Sequence, residues 1–429
     1  MRGFVNCAAM AAAFMVAAGA NVAQAAPSGE ITVWAWNTAA AGLKDTVAGF
    51  NKQFPDVKVN VVDIGGGAPV YQKILAGCAA GGTGLPDVVG VQNEQGETIW
   101  SRFPDCFADL VKLGYGKADQ AKFPDFKRAE LETGGKAFAM PWDSGPVVMF
   151  YRRDLYQKAG IDAATIKTWD DYIAAGKKML AANPGVVMAQ ANLAGEVEWL
   201  RMMSQENHCG FFDHTDGSIT INQPGCVAAL EKLKAMKDAG IISSADWGGK
   251  LEGIKAGKSA GGMYGAWYVG SIQGNAPDQS GKWGTYRMPS VAAAGGAHAA
   301  NFGGSSLAIP DASAHKEAAF AFVKFALETN DGQVTMLKTQ GLVPSLLDAL
   351  KDPYISQPLP YWGGQKVWAD VLATLPDVPA DRSTAFLGDA SAIINVAQTK
   401  FFSGEFPTAK AALDDAAKQI ATATGLPIK

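Results

Sequence analysis

An indole ring and a carboxylate stand side by side at Trp142 and Asp143, followed by the hydroxyl of Ser144. Pro141 and Pro146 frame this segment, and prolines spaced so closely exclude regular secondary structure. The face of an indole ring can cover the C–H groups of a sugar, and a carboxylate accepts hydrogen bonds from its hydroxyl groups. The segment therefore predicts a sugar contact. The alternative is a tryptophan buried between two strands of a large α/β protein.

Polar side chains also follow apolar runs that predict buried parallel strands. One run ends at Trp36 and continues into Asn37 and Thr38, with a helix predicted at about 43–54, and a later run continues into the polar residues 92–95. In open α/β sheets, ligands bind beyond the carboxyl ends of the strands. We therefore expect Trp36, Asn37 and Thr38 to meet a ligand and residues 92–95 to form a hydrogen-bonding rim.

The bulk properties indicate an exported protein with two domains. Residues 1–25 combine a single charge at Arg2, an apolar run too short for a membrane span, and the small residues Ala23 and Ala25, a pattern typical of a cleaved secretory signal. Removing Arg2 changes the net charge from −4 to −5, which argues against nucleic acid or an anionic membrane as partner. The remaining residues, 26–429, exceed one ordinary hydrophobic core.

Four cysteines remain after the predicted cleavage, an even number that suggests disulfides in an oxidising compartment. Four cysteines allow three pairings, and we favour neighbours in sequence: Cys78 with Cys106 and Cys209 with Cys226. A zinc site is the competing interpretation, but no pair has the short spacing of a C-x-x-C motif. We expect neither a metal nor another cofactor.

Several spaced motifs resemble those of the family 1 extracellular solute-binding proteins of ABC importers, the maltose-binding-protein-like group. They cover nearly the whole predicted mature chain, and their order and spacing carry the resemblance. The element ending at Trp267 departs slightly from the family pattern, because two glycines precede Met263. The motifs are Pro141 with Tyr151, Asp154 and Leu155; Thr168-Trp169-Asp170; the element ending at Trp267; the Gly-Gly turn at 303–304; and Gly341 with Pro344.

The resemblance implies a two-lobed periplasmic-binding-protein fold of the α/β class. Each lobe would hold a mixed, mostly parallel sheet, and hinge strands would join the two lobes. The first lobe is expected to comprise 26–142 and 307–355. The second lobe is expected to comprise 143–306 and 356–429, including the C-terminal helices.

The resemblance also implies which residues contact the ligand. In the family, the tryptophan at the position of Trp267 usually lies flat against a sugar, and the residues at Asn93 and Glu94 follow a strand that reaches it. Trp362 offers a further aromatic ring, and Arg382 or Arg287 could bind an anionic substituent. The complete expected set is Trp36, Asn37, Thr38, Asn93, Glu94, Trp142, Asp143, Ser144, Trp267, Gly304, Ser305, Trp362 and Arg382.

These observations predict a periplasmic receptor that delivers a sugar to the membrane permease subunits of an ABC importer. Several tryptophans favour a di- or oligosaccharide, such as an α-galactoside or a lactose-type sugar, and the resemblance implies a monomer. The alternative is a secreted glycosidase that uses Asp143 and Glu94, but the sequence singles out no general acid and contains no hydrolase signature. A cation receptor is a third possibility, which the absence of a Tyr-Tyr pair disfavours.

Overall fold

The structure is a computed structural model of the 429-residue chain. The predicted signal sequence and Arg382 lie outside the residues that it describes. Within the described part of the chain, no helix is long and apolar enough to cross a membrane. The described residues are 26–66, 68–133, 135–291, 295–379, 381 and 383–429.

One lobe is built on a five-stranded mixed sheet. In spatial order its strands are Val57–Asp63, Gly29–Ala35, Val88–Gln92, Ser305–Ala308 and Ala139–Pro141. The first three strands run parallel to one another. The strand Ser305–Ala308 is antiparallel to both of its neighbours, Val88–Gln92 and Ala139–Pro141.

The strand Gly29–Ala35 shows why this sequence forms the sheet. Its side chains alternate, so that Ile31, Val33 and Ala35 are completely buried while the residues between them are partly exposed. The helix Asn37–Gln53 covers the buried face. This helix starts about six residues earlier than predicted, so Asn37 and Thr38 occupy its first turn rather than a loop.

The second lobe contains a three-stranded sheet in the order Gly261–Gly265, Val147–Arg152 and Trp283–Arg287. Both outer strands are antiparallel to the central one, which corrects the expectation of mostly parallel sheets for this lobe. The side chains of the run 147–150 are buried on both faces of this sheet, a pattern typical of parallel strands, yet the neighbouring strands run in the opposite direction.

Separate hydrophobic cores support the division into lobes. One core draws on residues between 31 and 142 and between 307 and 349. Another draws on residues between 147 and 300 and between 387 and 420. We therefore propose the lobe boundaries that the sequence predicts, with one refinement: the strand Ser305–Ala308 belongs wholly to the first sheet, so the return to the first lobe begins at Ser305.

The chain crosses between the lobes in segments that are hydrogen-bonded to one another. The strand Asp143–Ser144 pairs with Val343–Pro344, which corrects the expectation that the segment framed by Pro141 and Pro146 has no regular secondary structure. Beside it, the backbone N–H of Phe302 donates to the carbonyl oxygen of Gly145 at 2.7 Å. The side-chain oxygen of Asn301 accepts from the backbone N–H of Gly145 at 3.1 Å. These contacts hold two crossings side by side beneath the space between the lobes.

Helices surround both sheets. The helix Trp169–Ala182 begins with a capping box, in which the Thr168 side chain accepts from the backbone of Asp171 while the Asp171 carboxylate accepts from the backbone of Thr168. The α-helices are Asn37–Gln53, Ala68–Ala79, Asn93–Arg102, Lys117–Gln120, Asp125–Ala129, Arg153–Lys158, Trp169–Ala182, Glu198–Glu206, Pro224–Asp238, Trp247–Lys255, Tyr268–Asn275, Lys316–Glu328, Asn330–Gln340, Val367–Leu372, Leu387–Ser403 and Ala409–Thr424. Short strands also pair as Glu132–Thr133 with Lys136–Ala137 and as Ala189–Gln190 with Ile242–Ser243.

Both predicted disulfides are present. Cys78 is bonded to Cys106 with a Cα–Cα distance of 5.3 Å, and Cys209 to Cys226 with 5.5 Å. The described residues contain no group of His, Cys, Asp or Glu side chains that could hold a metal ion. The cysteines therefore act as covalent links within each lobe.

We expect the double variant Cys209→Ser/Cys226→Ser to unfold more easily than the wild type. The bond closes a loop with a sequence separation of 17, and restricting such a loop in the unfolded chain stabilises the fold by about 3 kcal/mol. Urea denaturation followed by circular dichroism measures the loss. We expect a lower urea midpoint for the double variant than for the wild type, and a reductant should also lower the midpoint of the wild type. Equal midpoints for the double variant and the wild type without reductant would contradict the prediction.

Candidate ligand-binding site

A cavity of about 800 Å³ lies between the two lobes, above the chain crossings. Strand ends and helix starts of both lobes form its wall. Among the described residues, the structure brings together at this cavity most of the predicted contacts: Trp36, Asn37, Thr38, Glu94, Asp143, Trp267, Gly304 and Ser305.

The first lobe contributes the ends of two neighbouring strands. Each strand passes directly into a helix, so Asn37 and Glu94 lie in first helical turns that face the cavity. Asn37 has a positive φ of 45°, and its backbone N–H donates to the Asp63 carboxylate at 3.2 Å. Gly90 lies under the Trp36 ring, and a Cβ there would lie 3.1 Å from that ring. A larger residue at this position would therefore have to displace the Trp36 ring by a few tenths of an ångström.

The second lobe contributes a wall of aromatic rings. The Trp267 ring lies 5.8 Å from that of Trp247, 6.0 Å from that of Tyr264 and 5.9 Å from that of Phe302, between ring centres. The Trp267 indole N–H donates to the carbonyl oxygen of Phe302 at 2.9 Å, which fixes the orientation of the ring. Trp267 remains partly exposed to the cavity. A fixed and partly exposed indole can stack on an apolar ligand face.

Asp143 and the turn at 303–304 form the floor. The Asp143 side chain is buried, and one of its carboxylate oxygens accepts from the backbone N–H of Ser305 at 2.8 Å. Burial raises the pKa of this carboxyl, and the charge of Lys127 opposes that shift. Gly304 has φ +99°, and a Cβ there would lie 2.6 Å from the Lys127 ammonium and 3.0 Å from the Asp143 carbonyl oxygen. Only glycine fits this position without movement of its neighbours.

An ion network joins the lobes at one end of the cavity. The guanidinium of Arg201, on a helix of the second lobe, donates to the Glu94 carboxylate of the first lobe and, at 3.2 Å, to the Asp381 carboxylate. Burial lowers the pKa of this guanidinium, but the charges of Glu94 and Asp381 outweigh burial and raise the pKa overall. Arg201 thus stays charged while it bridges the two lobes.

A second ionic group lies in the wall of the second lobe. The Lys250 ammonium is 2.8 Å from the Glu196 carboxylate and 4.0 Å from that of Glu198. Burial, and next the charge of Glu196, raise the pKa of Glu198, while Lys250 lowers it. All three residues line the cavity.

Trp142 and Trp362 do not line the cavity, contrary to the prediction that both offer ring faces. Trp142 is completely buried in the core of the first lobe, with its indole N–H directed at the Met336 sulfur at 3.1 Å. Neighbouring residues of an extended chain point to opposite sides, so Asp143 faces the cavity and Trp142 faces the core. Trp362 is equally buried, and its indole N–H donates to Gln273 at 3.3 Å.

Asn93 and Ser144 also lie behind the wall rather than at its surface. The amide nitrogen of Asn93 donates to the Glu130 carboxylate at 2.7 Å, and the hydroxyl of Ser144 lies 3.2 Å from that of Ser345. Both side chains are buried and support neighbouring elements. Arg382 lies outside the described residues, and Arg287 pairs with Asp377 at the surface, away from the cavity.

Several cavity residues were not predicted, because only the tertiary structure brings them together. Trp247 follows Asp246, whose carboxylate accepts from the backbone of Gly249 and caps the helix Trp247–Lys255. This cap is the local sequence feature that could have indicated Trp247 at an exposed helix start. No comparable local feature marks Arg201, Lys250 or the helix Leu387–Ser403 as part of the cavity.

Comparison with known proteins identifies the family. Residues 34–333 match the sequence pattern of the bacterial extracellular solute-binding proteins. The chain belongs to this family. A lactose-binding protein of Rhizobium radiobacter is 32% identical over 379 residues, covering 86% of this chain and 87% of the relative.

Further relatives share the architecture of this solute-binding protein. An arabinooligosaccharide-binding protein of Bacillus subtilis (strain 168) is 26% identical over 408 residues, covering 91% of this chain and 92% of the relative. An ABC-transporter-associated binding protein from B. animalis subsp. lactis Bl-04, solved in complex with beta-1,6-galactobiose, superposes with a TM-score of 0.80 at 24% identity and covers 94% of this chain and 100% of that one. The two-lobed fold is thereby confirmed.

The family and its relatives are binding proteins, so the alternative of a glycosidase is wrong. The geometry agrees. Glu94 is held by Arg201, and Asp143 accepts a backbone hydrogen bond at the floor, so both carboxylates already have fixed partners.

We expect Arg201→Met to widen the cleft of the ligand-free protein. The substitution removes hydrogen bonds that involve charged groups, worth roughly 1.5–3 kcal/mol, and it leaves the Glu94 and Asp381 carboxylates to repel each other across the lobes. Small-angle X-ray scattering measures the resulting increase in the radius of gyration.

A matched control is Arg102→Met. Arg102 lies on a first-lobe helix and likewise pairs across the lobes, 3.5 Å from Asp389, but its side chain is 46% exposed. An exposed pair of this kind contributes at most about 1 kcal/mol. An equal radius of gyration for Arg201→Met and the wild type would show that the Arg201 network does not hold the lobes together.

Proposed function

We propose that this solute-binding protein is the periplasmic receptor for a di- or oligosaccharide and delivers the sugar to the membrane permease subunits of an ABC importer. The observation that carries the proposal is the juxtaposition, in one cavity, of a fixed indole face at Trp267 with the polar groups of Asp143, Glu94 and Asn37. Sugars present both apolar C–H faces and hydroxyl edges, and this cavity offers a surface for each.

The aromatic wall supports a ligand with more than one ring. Trp267 and Trp247 lie on the side of the second lobe, and Trp36 and Tyr71 lie on the side of the first lobe. The cavity volume of about 800 Å³ is in the upper part of the range of ~300–1,000 Å³ that is typical of small-molecule sites. The names of the relatives, which bind lactose, arabinooligosaccharides and galactobiose, point to the same size of ligand.

Delivery rests on closure of the lobes around the sugar. A ligand that contacts both lobes binds the closed arrangement better than an open one and therefore shifts the population toward it. The ion pair between Arg201 and Glu94 adds to the stability of the closed arrangement, because it joins the two lobes. We further propose that the receptor acts as a monomer and that nucleic acid is not a partner, in keeping with the net negative charge.

A thermal-shift screen against neutral sugars tests the proposal. We expect lactose, beta-1,6-galactobiose or an arabinooligosaccharide to raise the melting temperature, because a ligand at 100 times its Kd stabilises the native state by about 2.7 kcal/mol. Calorimetry then gives the affinity of the best ligand. If no sugar of the panel raises the melting temperature and none gives a binding heat, the proposed function is wrong.

We expect Trp267→Ala to weaken binding of the best sugar roughly 30-fold, because truncating a central aromatic contact costs about 2 kcal/mol or more. Calorimetry measures the change. Trp34→Ala is the matched control: Trp34 is partly exposed on the strand Gly29–Ala35 but lines a different surface, with Thr32 and Asp87. Equal affinities for Trp267→Ala and the wild type would exclude stacking on Trp267.

A further inference from the structure

The cations in the cavity wall are already neutralised. Among the described residues that line the cavity, the positively charged side chains are Arg201 and Lys250. Arg201 directs one nitrogen to Glu94 and another to Asp381, so both sides of its guanidinium fork are in use. The two carboxylates thus offset the charge of Arg201 and weaken its attraction for a ligand anion.

Lys250 is neutralised within its own lobe. Its side chain is 3% exposed, and its ammonium lies 2.8 Å from the Glu196 carboxylate, 4.0 Å from the Glu198 carboxylate and 5.7 Å from the centre of the Tyr264 ring. A buried ammonium needs such partners, because an unpaired one would be deprotonated or would destabilise the fold. All three side chains line the cavity, so the two glutamates compete with any ligand anion for the Lys250 ammonium.

The carboxyl groups that line the same cavity belong to Glu94, Asp143, Glu196 and Glu198. Burial raises the pKa of Asp143 and of Glu198, so the negative charge of the wall rests chiefly on Glu94 and Glu196. Carboxylates accept hydrogen bonds from hydroxyl groups, but they repel a carboxylate or a phosphate on a ligand. Specificity of this kind arises from repulsion of the wrong ligand as much as from attraction of the right one.

We propose that Glu196 and Glu198 are specificity-determining residues, which occupy Lys250 so that the cavity binds neutral sugars and rejects sugars that carry an anionic group. This inference rests on the proposed function and adds the chemical class of the ligand. Lys250 acts through the two glutamates as a positioning residue, because it holds both carboxylates toward the cavity.

The experiment compares galactose with galacturonate. The two sugars differ only at C6, which is a hydroxymethyl group in galactose and a carboxylate in galacturonate. Calorimetry with the wild type and with Glu196→Gln/Glu198→Gln gives the four affinities. We expect the wild type to bind galacturonate at least tenfold more weakly than galactose. In the double variant the freed ammonium accepts the anion, and we expect galacturonate to gain at least tenfold.

Two further variants make the result specific. Adding Lys250→Met to the double variant removes the ammonium and should abolish the gain for galacturonate. Glu252→Gln is the matched control for net charge, because Glu252 lies on the same helix as Lys250 but is 74% exposed and faces Lys255. It should leave both affinities as in the wild type. If the double variant does not fold, Glu198→Gln alone can be used. It keeps the close pair between Lys250 and Glu196, so its gain in affinity for galacturonate should be smaller than tenfold.

Two results would overturn the inference: wild-type binding of galacturonate as tight as that of galactose, or glutamine variants whose affinity for galacturonate is unchanged. Both are distinct from failure of the proposed function. That function fails if no neutral mono- or oligosaccharide binds the wild type, whereas the inference is decided by galacturonate and the glutamine variants.

Discussion

The hydrogen bond between the buried Asp143 carboxylate and the backbone N–H of Ser305 joins two chain crossings at the base of the cavity. A carboxylate inside a protein needs such a donor, because its desolvation is otherwise too costly. Gly304 makes the contact possible, since a side chain there would collide with Lys127 and with the backbone of Asp143. The positions of the other cavity residues follow from this junction, because both lobes extend from it.

Much of the fold was predictable because it depends on patterns among residues that are close in sequence. The strand Gly29–Ala35 alternates, Thr168 is a helix cap, and the cysteine spacing pointed to the pairing that the structure shows. The carboxyl ends of strands were equally informative, since Trp36, Asn37 and Glu94 all reach the cavity. Pairing direction was not predictable for the second sheet. An apolar run buried on both faces looks the same whether its neighbours are parallel or antiparallel.

The site was only half predictable, because side-chain direction is decided by packing. Trp142 and Asp143 are adjacent in sequence, and one enters the core while the other faces the cavity. Trp362 stands in a glycine-rich turn that suggested exposure, yet its ring is completely buried. Arg201 and Lys250 are missed for a different reason. A cation on an amphipathic helix becomes noteworthy only when its carboxylate partners, distant in sequence, are known.

The bond between Cys78 and Cys106 bears on the cavity as well as on the first lobe. Cys78 lies in the helix Ala68–Ala79, which lines the cavity with Val70 and Tyr71, and Cys106 follows the helix that carries Glu94. The bond therefore fastens together two helices whose starts face the ligand. In a reducing cytosol the same chain would lack this covalent link, and the two helices would be held by packing and by hydrogen bonds such as the one from Tyr71 to Gln92. The rigidity of this wall of the cavity thus depends on the redox state of the compartment in which the chain folds.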